Sequence, residues 1–207
     1  MTEINQISNL FKNFGGIKFA VKQQETEKSL LTSKTTLDTV SLNNSKSEKF
    51  EEVFAEFDKN VPDCTSTISE KELAISYIDR MLACDDISED LKIYWQNKKS
   101  VIKMEMQSIK NEEAKGSGEK VNDVWNEYVK FVNKYRDKIN NNLSAKDKYE
   151  YSMTYNRTAQ SFIKRLMNCA DITDKQLLIY QQMYQNFEND MQNCRRDFMN
   201  VKKSQNK

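Results

Sequence analysis

In a chain of 207 residues there are four glycines and one proline. Strand reversals draw heavily on both, because Gly supplies positive φ and Pro presets φ for a turn. A chain so poor in them has few places to fold a hairpin. The proline is Pro62, and the glycines fall in two spots, Gly15-Gly16 and Gly116/Gly118. Between these lie long stretches of Lys, Glu, Gln, Met and Leu, which favour helix. The expected fold class is therefore all-α.

Residues 1–46 differ from the remainder. Ile4, Ile7, Leu10, Phe11 and Phe14 line one face of a short helix over 2–14, which the Gly15-Gly16 pair ends. Residues 17–21 alternate only partly, as a weak strand would. From Gln23 to Lys46 no period of 3.6 or 2 persists, so a mostly disordered arm is expected there. The functional reading of this arm is a short linear motif that docks on a partner.

The rest of the chain repeats itself. Residues 76–89 match residues 161–174 at an offset of 85, with Ser76/Ser161, Arg80/Arg165 and Cys84/Cys169 among six identities. Upstream, Phe50, Val53, Phe54 and Phe57 align with Trp125, Tyr128, Val129 and Val132 at an offset of 75. On this alignment the second copy carries about ten extra residues, or 2.8 helical turns, in its middle helix. Each copy reads as three helices: 46–60, 69–84 and 88–114, then 119–141, 145–169 and 173–203. The expected architecture is a duplicated three-helix unit forming a helical bundle or short α-repeat, with copies over 47–115 and 116–207. The segment Gly116-Ser117-Gly118 reads as the loop between them.

Local signals support these boundaries. Ser69 with Glu72, Ser144 with Asp147, and Thr173 with Gln176 have capping-box spacing. The last helix carries a seam, Leu177, Tyr180, Tyr184, Phe187, Met191, Cys194, Phe198 and Val201, spaced 3, 4, 3, 4 like a heptad. The helix from Val121 has an unusually broad apolar face, which suggests a central helix contacted on two sides.

The composition excludes much chemistry. There is no histidine, so a Ser/His or Cys/His nucleophile is impossible and the commonest metal ligand is missing. The four cysteines form no C-x-x-C, and the acids Asp85, Asp86, Glu89 and Asp90 lack calcium-loop spacing. No glycine-rich phosphate loop follows a strand. No metal, cofactor or catalytic residue is therefore expected, and the chain is not expected to be an enzyme. A net charge of +1 gives no global case for nucleic acid. No apolar run approaches the roughly 18 residues of a membrane span. The first ten residues have no secretory pattern, so a cytoplasmic location is expected.

What remains is a helical interaction or adaptor protein with a protein partner. The candidate contact residues are Ile4, Ile7, Leu10, Phe11 and Phe14 of the arm, and Tyr180, Tyr184, Phe187, Met191 and Phe198 of the seam. The seam could also join two copies as a homo-oligomer through the C-terminal helix. The alternative is a secreted microbial effector or export substrate, with the unfolded N-terminus as export signal and no cleaved signal peptide.

Overall fold

The computed structural model describes residues 48–62, 64–116 and 118–205. The expected helix over 2–14, the weak strand over 17–21 and the arm to residue 46 lie outside the described residues. Six helices and no strand are found among those described: α1 Phe50–Asn60, α2 Ile68–Ala83, α3 Glu89–Ala114, α4 Val121–Tyr135, α5 Ala145–Leu166 and α6 Asp174–Gln205.

Most boundaries fall within a few residues of those expected, and the exceptions have causes. The box that opens α2 is Thr67 with Glu70, not Ser69 with Glu72. The Thr67 hydroxyl accepts from the Glu70 amide, and the Glu70 carboxylate accepts from the Thr67 amide at 2.9 Å. Hydrogen bonds from the Thr67 and Ser66 amides hold the Glu70 carboxyl down at about 2. Both pairs have the same spacing, so the motif alone left two registers open. Thr173 and Gln176 make the expected reciprocal bonds, at 3.0 and 3.3 Å. The helix α4 stops at Tyr135, six residues early. There Arg136 is extended, Asp137 turns to φ 57°, and the Tyr151 hydroxyl donates to the Tyr135 carbonyl at 2.8 Å.

α1, α2 and α3 run up, down and up. Phe57 meets Tyr77 across α1 and α2, and Lys71 reaches Glu105 across α2 and α3. α4, α5 and α6 do the same: Phe131 stacks on Tyr155, and Gln160 bonds Glu188 at 3.2 Å. The two halves join where α3 lies alongside α5, in parallel, so that Lys98, Met104 and Asn111 face Glu150, Thr158 and Ser161.

The central helix is α5, not the broad-faced α4. α5 is packed by α3, α4 and α6 and buries thirteen residues, including Ser152, Thr154, Asn156, Thr158, Ser161 and Arg165. Its apolar side meets α4 and α6, while its polar side meets α3. There Thr158 donates to the Met104 carbonyl at 3.0 Å, and the Asn111 amide donates to Ser161 at 2.9 Å. A helix buried by hydrogen bonds on one side does not look buried to a hydrophobicity reading.

The contacts within the first half recur in the second at fixed offsets. Arg80 binds Glu48 and Glu56, and Arg165 binds Glu119 and Glu127. The Phe50 amide donates to Asp86 at 2.9 Å, and the Val121 amide to Asp171 at 2.7 Å. Phe54 meets Trp95 at 6.0 Å, and Trp125 meets Tyr180 at 6.0 Å. Phe57 packs edge-on against Tyr77, and Tyr128 against Phe162. The thiol of Cys84 lies on the Arg80 carbonyl, and that of Cys169 on the Arg165 carbonyl. These pairs put the first helices in register at an offset of 71, not 75, and keep 85 for the rest. In the corrected register six of the fourteen residues 48–61 equal their counterparts in 119–132. The added residues of the second half lie in a longer α4, a longer loop and a longer α5, rather than in α5 alone.

Candidate functional site: a groove between the halves

The residues singled out in the C-terminal seam serve the interior. Tyr180, Phe187 and Met191 are buried, with Met183 beside them, against α5 and the end of Trp125. Burial pushes the Tyr180 hydroxyl up to about 12. Tyr184 is half-buried, and beyond Met191 the seam opens: Phe198 is half-buried and Val201 exposed. Ile4, Ile7, Leu10, Phe11 and Phe14 lie outside the described residues.

Phe198 belongs to a different feature. Its ring stacks on Tyr149 of α5 at 4.5 Å and forms one wall of an open groove of about 730 Å3. The groove runs along the first half of α5, between α3 and the last turns of α6. Met153 and Thr154 make a buried floor. Lys98 and Glu105 come from α3, and Val201 and Lys202 from α6. The site thus exists only because α3 docks beside α5 and because α6 is long enough to reach back over the start of α5. Sequence reading found Phe198 but placed it in a continuous seam. Tyr149, Met153 and Arg157 were missed, because they share a face only once α3 fixes which side of α5 is covered.

The charges in the groove are unevenly matched. Glu105 is held by Lys71 at 2.5 Å, and Glu150 by Lys98, which also lies 3.7 Å from Asp147. Burial works against the Lys98 ammonium, yet the bond it donates to Glu150 and the fields of Glu150, Tyr94 and Asp147 keep its pKa above the ordinary lysine value. Lys146, Arg157 and Lys202 have no ion-pair partner among the described residues. Lys202 instead lies over the Phe198 ring at 5.4 Å. The start of α5, capped by Ser144, adds the positive end of a helix dipole.

The other chemical groups are structural. Burial raises the Cys169 thiol to about 11 and pushes Cys84 in the same direction. A thiol kept protonated is a poor nucleophile and a poor ligand. Arg80 and Arg165, whose matching positions could have suggested an anion site, spend their guanidinium donors on two glutamates each. Among the described residues no group of three or more Cys, Asp or Glu could hold a metal, and no helix is long and apolar enough to cross a membrane.

No protein-family model matches the chain, and neither a curated protein nor a solved structure does.

Proposed function

We propose that this chain is a non-enzymatic helical interaction protein, built from a duplicated three-helix unit, and that the groove between its halves receives a protein partner. The observation that carries the reading is the groove itself: a buried floor of Met153 and Thr154, a half-buried aromatic stack and three cations without an ion-pair partner on one face. Such a mixture of buried aromatic area and a polar rim is what protein contacts use. Duplication is supported by the recurrence of the arginine clamp, the capped amide and the aromatic pairs at offsets of 71 and 85. It sets α3 beside α5, and the residues added to α5 together with the long α6 supply the rest of the groove's lining.

A photo-crosslinking side chain placed at Lys146, and separately at Ser69 on the outer face of α2, tests the site in native cells. The expected result is a discrete adduct from position 146 and none from position 69. Adducts from position 69 alone would remove the groove as the partner site.

A further inference from the structure

The groove has a length and a charge pattern, and together they specify an occupant. Ser144 and Arg157 are its ends along α5, a span of about 20 Å at 1.5 Å per residue. Lys146 lies at one end. Because α6 runs antiparallel to α5, with Phe198 opposite Tyr149, Lys202 falls one turn further toward the same end. Arg157 stands at the other end, about 16 Å from Lys146 along the helix. Between them are Tyr149, Met153 and Phe198. Every acid that lines the groove is already held by a lysine, whereas these three cations are not.

We infer that the groove binds an acidic peptide segment in extended form, with two carboxylates about five residues apart flanking large apolar side chains. The assignment rests on the reading of the groove as the partner site. An extended chain advances about 3.3 Å per residue, so five residues span the distance from Lys146 to Arg157. One carboxylate meets Lys146 and Lys202 at the start of α5, where the helix dipole also favours an anion. The other meets the Arg157 guanidinium, whose planar fork suits a carboxylate. The apolar side chains between them cover Met153 and the Tyr149/Phe198 stack. A free phosphate or a single carboxylate would satisfy one end only and leave the floor uncovered.

The test uses the full chain and three labelled hexapeptides followed by fluorescence anisotropy. The first has Glu at positions one and six with Leu and Phe between, and the others replace both Glu by Gln or by Lys. The acidic peptide should bind at least tenfold more tightly than the Lys peptide and weaken as salt rises. Lys146→Glu and Arg157→Glu should each weaken it by about fivefold, the loss of one exposed ion pair together with repulsion from the new carboxylate. Lys59→Glu on α1 should leave it unchanged. Both groove positions are exposed, so these variants keep the melting curve of the parent. Equal binding of the Glu and Lys peptides overturns the inference. Tight binding of the Gln peptide, with silent charge reversals, overturns it while leaving the groove as a partner site. Failure of all three peptides removes both. Pelleting of the chain with phosphatidylcholine/phosphatidylserine 3:1 vesicles, in the absence of peptide binding, makes the occupant a lipid surface and overturns it too.

Discussion

Arg80 and Arg165 each hold a pair of glutamates eight residues apart, yet they are not equivalent. The Arg80 side chain is 36% exposed and its partners Glu48 and Glu56 are both 52% exposed. The Arg165 side chain is 8% exposed, and α3 adds a third acceptor, the Asn111 oxygen at 3.1 Å. In the first half the clamp is a surface ion-pair cluster, which contributes little. In the second it is an enclosed junction that ties α4, α5 and α3 together. One local pattern used twice thus acts differently according to what covers it. The position of Thr158, fully buried under α3, is taken in α2 by Leu73, which is 40% exposed.

The comparison can be broken first at the glycine between the halves. Gly116 has φ 76°, and a methyl group there would come within 2.1 Å of the Arg165 carbonyl oxygen. Gly118 has a similar φ but open space around it. Gly116→Ala should lower unfolding free energy by roughly 3 kcal/mol or more, and Gly118→Ala by about 1 kcal/mol. Urea denaturation measures both, and equal effects would mean that the linker does not pack on α5.

Arg165→Met comes next, with an expected loss of about 2–3 kcal/mol. That is below the 3–5 typical of a buried pair, because Glu127 still reaches solvent. Arg80→Met should cost far less by the same measurement. A third, smaller step is Asn111→Ala, which leaves Ser161 and Arg165 each short of a partner and should cost about 1–2 kcal/mol. In an Arg165→Met background part of that loss should vanish, and a double-mutant cycle reads the coupling.

The smallest effect is the acid dependence that the α2 capping box contributes. The Glu70 carboxyl lies at about 2 when folded, against an ordinary 4.5. A depressed value means its stabilisation is fully present above 4.5 and is lost as pH falls through about 2. Glu70→Gln should flatten this part of the melting-temperature profile, while leaving the profile near neutrality parallel to that of the parent. An unchanged acid limb would remove the capping box as its cause.

All-helical structure and most helix ends were legible because they depend on local chemistry: sparse Gly and Pro, Ser or Thr before four of the six helices, and apolar spacing. The register of the first helices was not. An aromatic pattern shifted by four residues presents nearly the same face of a helix, so offsets of 71 and 75 match equally well by apolar class. Glu48 and Glu56 against Glu119 and Glu127 decide the register, because only their carboxylates reach the two arginines. The role of α5 was hidden for a related reason. Thr158 and Ser161 look like part of a solvated face until α3 supplies their partners. Of the residues expected to contact a partner, Phe198 alone of the seam lines the groove, since the groove is made by elements about fifty residues apart in sequence.

The most direct test of the proposed duplication is a pair of grafts read by thermal melting of the full chain. In one, residues 48–61 are replaced by the sequence of 119–132; in the other, by that of 123–136. The first keeps both glutamates of the Arg80 clamp and the Val53 core position, so it should unfold cooperatively within a few degrees of the parent. The second removes Glu56 and puts tyrosine in place of Val53, and should lose its cooperative transition. A first graft that fails while the second melts like the parent would contradict the account.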